Sequence, residues 1–401
     1  QVYRNDLKDI PAFLKDGLFL DRIDPNNPWS MYSPILMTNK ENPVAQTEIY
    51  KNNRWKGIAI KAGGAIDIKI MPWLKYRSSL GIDLQRGVSN YFLPKYYLNG
   101  NQFNNDATVG ASNSLTNYYV WENTLTFEKE IDDHKMSLMV GTSAEQWKGE
   151  SSGASRQGLV SNDPSQWIIN AGSINPQASG SKWENALNSY FGRAFYSYKN
   201  RYMVTANLRY DGSSKFIDRL KWRWFTSASA GWVVSEENFM EWAKPALSHL
   251  KFRASYGIIG NQAVPASLYS PTMDAYESTW VGGSNKFYAV GSPRFSLRDI
   301  TWEDLETKDL GLDARFLNNK LGLVFDYYIR TTKNMFAPFE GTTWTIGGNA
   351  PLGNFGELKT TGYEIAVDYN HRFENGLGIN LRANFDDAVS KFYNYTSSRL
   401  M

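Results

Sequence analysis

Tyr202-Met203-Val204-Thr205-Ala206-Asn207-Leu208-Arg209-Tyr210 decides the fold. Its alternate residues Tyr202, Val204, Ala206, Leu208 and Tyr210 form one set, and Met203, Thr205, Asn207 and Arg209 the other. Side chains alternate faces along a strand, so this is a ribbon with one oily side and one wet side. Just before it, residues 187–198 read as a strand that ends at the tight polar turn Lys199-Asn200-Arg201. Just after it, residues 222–234 place Trp224, Thr226, Ala228, Ala230, Trp232 and Val234 on one face. Arg223, Ser227, Ser229 and Gly231 take the other. Tyr and Trp stand near the ends of the oily faces, with small or aliphatic residues between. Strands that cross a bilayer are laid out this way, with an aromatic girdle at each interface.

Composition agrees. Aromatic residues are 15% of the chain, with 24 Tyr and 14 Trp, yet the mean hydropathy is −0.47. No window approaches the roughly 20 apolar residues of a transmembrane helix. A polar average without an apolar run is expected of a membrane β-barrel, because only every second residue faces lipid. A secreted carbohydrate-binding β protein has the same composition, so composition leaves both open. Zero Cys excludes disulfides, thiolate metal sites and cysteine nucleophiles. The 43 basic and 40 acidic residues are well mixed and form no basic stripe, so nucleic-acid binding has no support. Gln1 opens no signal peptide, and the chain reads as a mature or clipped piece.

Along the chain, residues 1–51 are broken by Asp24-Pro25-Asn26-Asn27-Pro28, Ser33-Pro34 and Asn42-Pro43 and read as an irregular loop region. Alternation then predicts strands over 56–70, 74–87, 118–127 and 134–147, the three strands above, and 251–259, 304–316, 321–330, 357–369 and 377–385. Residues 235–250 stand apart: Ser235-Glu236-Glu237 followed by Phe239, Trp242 and Leu247 read as a short helical turn ending before Pro245. Residues 386–401 show no closing strand. Long loops are expected at 88–117, 148–186, 260–303 and 331–356. Short and long connections alternate, which puts all short turns on one rim of an antiparallel sheet and all long loops on the other. The expectation is an all-β fold: an antiparallel transmembrane β-barrel segment of about twelve strands, with short periplasmic turns and long extracellular loops. A propeller would show a repeat of about 40–50 residues, and none is present.

Several motifs carry a family resemblance. They are Leu208-Arg209-Tyr210-Asp211-Gly212-Ser213-Ser214-Lys215-Phe216, then Phe225-Thr226-Ser227 with Gly231-Trp232, then Arg253-Ala254-Ser255-Tyr256-Gly257 with Gly260-Asn261-Gln262. Trp302-Glu303, Leu310-Gly311-Leu312-Asp313, Asp326-Tyr327-Tyr328, and Asn354 with Gly362-Tyr363-Glu364 follow in order, and Glu122-Asn123-Thr124-Leu125 belongs to the same set. In this order and spacing the chain resembles the barrel of SusC/RagA-type TonB-dependent outer-membrane transporters. That family's barrel has about 22 strands around a plug. The resemblance therefore implies that residues 1–401 are a partial barrel domain, with the plug and the barrel closure not present in this chain. It also implies import of an oligosaccharide or oligopeptide across the outer membrane. Energy would come from the TonB complex, and a SusD-like surface lipoprotein would lid the extracellular loops.

The residues supply no catalytic constellation. His134, His249 and His371 are far apart, so no metal site is read, and no cofactor. Asp132-Asp133 and Glu236-Glu237 are paired carboxylates on turns and read as solvated. Asp211-Gly212-Ser213-Ser214 reads as a turn whose serines bond back to the backbone. Arg193, Arg209, Arg223 and Arg253 are candidates for the lumen face, where they cross-link strands or meet an anionic or sugar substrate. Tyr91, Tyr96, Tyr97, Trp167, Trp183, Trp280, Tyr288 and Trp344 are candidates for substrate or lid contact, because aromatic rings stack on sugars and fill pockets. The same rings serve equally well to fold the loops on one another. Besides the importer, two other readings stay open: a soluble secreted carbohydrate-binding β protein, and a structural or adhesive barrel that transports nothing.

Overall fold

The computed structural model describes residues 29, 43–99, 102–161, 163–265, 268, 275–282, 285–290, 299–339 and 352–395. The strands are β1 Arg54–Met71, β2 Leu74–Leu93, β3 Tyr96–Asn99, β4 Gln102–Asn104, β5 Thr108–Ile131, β6 His134–Gln157, β7 Ile174–Tyr198 and β8 Tyr202–Ser213. They continue as β9 Trp222–Val233, β10 Leu247–Asn261, β11 Ala275–Gly282, β12 Asn285–Val290, β13 Glu303–Phe316, β14 Leu321–Pro338, β15 Leu352–Arg372 and β16 Gly378–Tyr395. Twelve of them hydrogen-bond in the order β1-β2-β5-β6-β7-β8-β9-β10-β13-β14-β15-β16. The pairs β3-β4 and β11-β12 are separate hairpins. None of the helices described is long and apolar enough to cross a membrane.

The chain packs as two units. One takes in residues 1–62, 82–118 and 147–184. Within it Phe92, Ala107, Val109 and Leu159 make a small core against which Trp167 packs. The other takes in 63–81, 119–146 and 185–401. Its strands show why the alternation was legible. One cross-strand row reads Tyr196, Val204, Ala230, Ala254, Leu310, Tyr327, Tyr363, wholly apolar or aromatic. The adjacent row, on the opposite face, reads Phe195, Thr205, Ser229, Ser255, Asp309, Tyr328, Gly362. Val204, Leu208 and Leu310 are open on the oily face, which is a lipid-facing surface. Rings bound it at both ends. Tyr198, Tyr202 and Trp232 line up near the short turns at 6.4 Å spacings, and Tyr210 stacks on Trp224 at 4.4 Å and Trp222 at 4.9 Å at the other end.

The turns explain the register. Lys199 and Asn200 both take positive φ, at 52° and 54°, and Arg201 N–H closes on Tyr198 O at 2.9 Å. Two consecutive left-handed residues match the twist of the flanking strands and fix a tight hairpin. The β9–β10 link is different. It folds into 3-10 helices at Val234–Glu236 and Asn238–Ala243, as the pattern of 235–250 predicted. Val234 opens this link and is buried there, rather than extending the oily face of the strand.

Several boundaries expected from the sequence are corrected. Residues 43–50, placed in an irregular region, form the helix α1, Pro43–Tyr50. Proline is tolerated in a first helical turn, where its missing N–H has no partner to lose. Much of the expected loops 88–117 and 148–186 is strand, since β2 runs to Leu93, β5 starts at Thr108, β6 runs to Gln157 and β7 starts at Ile174. β16 likewise continues through 386–395. Above the lipid band neither face needs apolar residues, so alternation fades while backbone pairing goes on.

Glu237, read as solvated, is also corrected. Its carboxylate accepts from the Tyr202 hydroxyl and from Trp232 Nε1 at 3.1 Å, with Arg201 at 3.6 Å. The Tyr202 hydrogen bond holds the Glu237 carboxyl below its ordinary value of 4.5, helped by Trp232 and Arg201. A depressed folded-state pKa stabilises the link fully above 4.5 and loses that contribution as pH falls through the folded value. Amide exchange across residues 234–244 is expected to be flat in protection from pH 7 to about 5 and to rise below the carboxylate range. Glu237→Gln should abolish that rise; an unchanged profile would count against the contact.

Candidate functional site

The polar face is built from arginines that the strands aim at carboxylates on the same strand or one to two strands away. Arg209 on β8 donates through Nε to Asp211 at 2.7 Å and through Nη2 to Ser189 Oγ on β7 at 2.8 Å, with its guanidinium 5.5 Å from the Phe191 ring centre. Arg253 on β10 donates to Asp313 at 2.9 Å and, past Gly311, to Asp326 at 3.1 Å. A Cβ at Gly311 would strike both the Arg253 guanidinium and the Asp326 carboxylate, so glycine is what lets the bridge cross that strand. Arg223 donates to Asp304, and Arg315 to Asp368 at 2.7 Å. Arg193 stands exposed opposite Asn207 and makes no ion pair among the described residues. Of the four candidate arginines, Arg209, Arg223 and Arg253 are thus spent on joining strands.

Sequence reading missed the counterpart of this network. Asp326, Glu364 and Asp386 face one another in register across β14, β15 and β16. Like charges directly opposite are unfavourable, and Arg253 offsets the first of them. Arg253→Gln is expected to cost about 1.5–3 kcal/mol by leaving Asp313 and Asp326 without their cation. A shift in the urea midpoint of barrel unfolding reads this, and no shift would remove Arg253 from the strand-joining role.

The Asp211–Phe216 motif is a latch at the long-loop end. Ser213 and Phe216 are buried. Ser213 Oγ accepts from Lys215 N–H at 3.2 Å, and Ser214 Oγ accepts from Ala186 N–H at 2.9 Å. Lys215 Nζ reaches Gln262 O at 3.1 Å, and burial pushes its ammonium pKa down. Phe216 lies 5.1 Å from the Trp302 ring and Phe225 5.3 Å from it. Trp302 Nε1 donates to Lys221 O at 3.1 Å, the last residue of the short helix α2, Asp218–Lys221. Asn354 completes the latch, accepting from Thr301 N–H at 2.8 Å and donating to Thr301 O and Asn334 O. Residues of five of the motifs quoted from the sequence, around Asp211–Phe216, Phe225, Gln262, Trp302 and Asn354, are therefore one connected structure. A concave space of about 690 Å³ beside it is lined by Asn207, Arg209, Asp211, Phe225, Gln262 and Trp302, among others.

The aromatic candidates fall in different settings. Tyr91 lies in β2 with its ring over the backbone of Gly110, and Trp183 lies in β7 with its ring over Gly149. Tyr96 and Tyr97 lie in β3, where Tyr96 meets Trp29 at 5.7 Å and Tyr97 meets Phe103 at 6.2 Å. Trp167 stacks flat on Phe92 at 4.4 Å, 10° between planes, as part of the small core. Trp280 and Tyr288 lie on β11 and β12, and their side chains fall outside the described residues, as does Trp344 altogether. The described rings are not gathered into one cluster. Among the described residues no group of metal-ligating side chains is present.

The family model for TonB dependent receptor-like β-barrels matches residues 18–400. The chain belongs to that family. It is 31% identical over 296 residues to TonB-dependent receptor P3 of Formosa agariphila, covering 74% of this chain and 29% of that protein. It is 28% identical over 339 residues to TonB-dependent receptor SusC of Bacteroides thetaiotaomicron, covering 82% and 32%. The chain spans about a third of the length of the curated relatives it matches. In fold it is similar to a chain of the RagAB peptide transporter, with TM-score 0.76 at 18% identity, over 89% of this chain and 39% of that one. The chain is a SusC/RagA-type TonB-dependent receptor barrel of the outer membrane, crossing it with many strands. Receptors of this family are not enzymes.

Proposed function

We propose that this TonB-dependent receptor barrel serves active import of a large nutrient, an oligosaccharide or an oligopeptide, energised by the TonB complex. In this reading the chain is 1–401 of a larger, plugged barrel. The long-loop side faces outward and meets a SusD-like lipoprotein lid. The observation that carries the reading is the asymmetry of the sheet. Short turns join most hairpins at one end, while β5, β6 and β7 run to 24, 24 and 25 residues, far beyond the roughly 9–11 residues that cross a bilayer. Strands that continue outside the lipid suit a large cargo and a lid. One neighbour in fold is a chain of a peptide transporter, from which the peptide arm of this reading is taken, and the ion-paired polar face suits either cargo. Exposed Arg193, Tyr97 and Trp183 are the proposed contact residues, and Arg209, Arg223 and Arg253 hold the wall on which contacts are made.

Deletion of the gene tests this. Growth on oligosaccharides or on oligopeptides as sole carbon or nitrogen source is expected to fail for one class and persist on the corresponding monomers. A surface lipoprotein is expected to copurify with the receptor in detergent. Unimpaired growth on both classes, with no lipoprotein recovered, would sink the proposal and favour a barrel that transports nothing.

A further inference from the structure

The geometry points to a membrane-anchoring element outside the barrel strands: the β9–β10 link, with Phe239 and Trp242 seated among the phospholipids of the periplasmic leaflet. Within the 3-10 helix Asn238–Ala243 a turn takes three residues, so Phe239 and Trp242 stand one above the other on one face. They are 61% and 80% exposed, while Ala243 is buried against the sheet. The face is thus turned away from the protein by its own packing.

The setting selects lipid as the occupant. Glu237, immediately before the helix, is held by Tyr202 and Trp232, both members of the lower aromatic girdle on the lipid-facing side. The helix therefore leaves the sheet from its outer surface at the level where rings already meet the membrane interface. At its far end Ala246 O accepts from Leu317 N–H at 3.1 Å, the tip of the next tight turn, so the link lies along the rim rather than hanging free. Leu317 is itself exposed and apolar. Lys244 and Arg201 flank the helix, Lys244 4.0 Å from Glu241 and Arg201 3.6 Å from Glu237. Aromatic side chains with flanking Lys or Arg are the recognised composition of an interfacial anchor. Tight turns suffice at the other hairpins of this rim, so hairpin closure does not account for the length of this link.

Site-directed spin labelling of the full-length receptor in phosphatidylethanolamine–phosphatidylglycerol vesicles tests this. Residues 1–401 contain no Cys, so once any Cys elsewhere in the receptor is replaced by Ser, Phe239→Cys, Trp242→Cys and Glu241→Cys can each carry a nitroxide at a known place. Heat-modifiable gel mobility checks that each variant has assembled. The ratio of collision with oxygen to collision with a water-soluble nickel chelate is expected to be about threefold or more higher at 239 and 242 than at 241, as for groups at the acyl–headgroup boundary. A ratio equal to that of 241 would mean the face is in water. Shielding from both reagents would mean that another protein segment covers it. Either result overturns the proposal. A second measurement keeps an aromatic ring at the position: emission lost in Trp242→Phe, taken as a difference from wild type, is expected to be quenched by brominated phospholipid. An unquenched difference also overturns it.

Discussion

Val204→Arg is expected to cost about 1–3 kcal/mol and to impair barrel assembly, while Thr205→Arg is expected to be milder. The two residues are neighbours in sequence and on opposite faces of β8. Val204 pairs with Tyr196 and Ala230, is 49% exposed and stands on the oily face between the Tyr202 and Tyr210 girdles, two residues from Tyr202. An arginine there must snorkel past the Tyr202 ring to reach water or pull the bilayer in. Thr205 pairs with Phe195 and Ser229 on the polar face, where a guanidinium joins a wall already rich in arginine. Heat-modifiable mobility of the full-length receptor and its urea unfolding in vesicles read the difference. Equal tolerance of both variants, or a worse result for Thr205→Arg, would reverse the assignment of faces for the whole sheet, since the rows are in register.

Trp302→Ala is expected to cost about 3–5 kcal/mol, the usual penalty for emptying a large buried aromatic site. Trp302 is 2% exposed and lies between Phe216 and Phe225, and its indole N–H satisfies the last carbonyl of α2. The loss is expected to be local. Protection from hydrogen exchange should fall over residues 211–222 and 299–304, while the girdle-bounded part of β8 and β9 keeps its own. Trp302→Phe should recover most of the packing and leave the Lys221 carbonyl unpaired. A uniform loss of protection across all strands would mean that the latch and the barrel wall unfold as one unit, against the separation drawn between them.

The sequence by itself determined the twelve strands of the main sheet, though not the two separate hairpins, together with the short turns and the two faces in the lipid band. Within that band one face must be apolar, so residues such as Val204, Leu208 and Ala230 carry a period that no other fold explains as well. It also determined the hairpin at Lys199-Asn200, because its polar residues sit in a short gap between two alternating runs. Tertiary structure alone decided how far the strands extend, because pairing above the lipid depends on backbone groups that carry no side-chain signature. It alone decided which arginines are committed. Arg253 and its partners Asp313 and Asp326 are 60 and 73 residues apart, and Arg223 and Asp304 are 81 apart, distances over which charge in a sequence has no address. The same holds for Trp167, whose place against Phe92 rather than open to a ligand follows from the end of β2 and the β6–β7 connection meeting in space. Glu237 shows the reason most plainly: a carboxylate beside a turn looks solvated until the strand register brings Tyr202 and Trp232 to it.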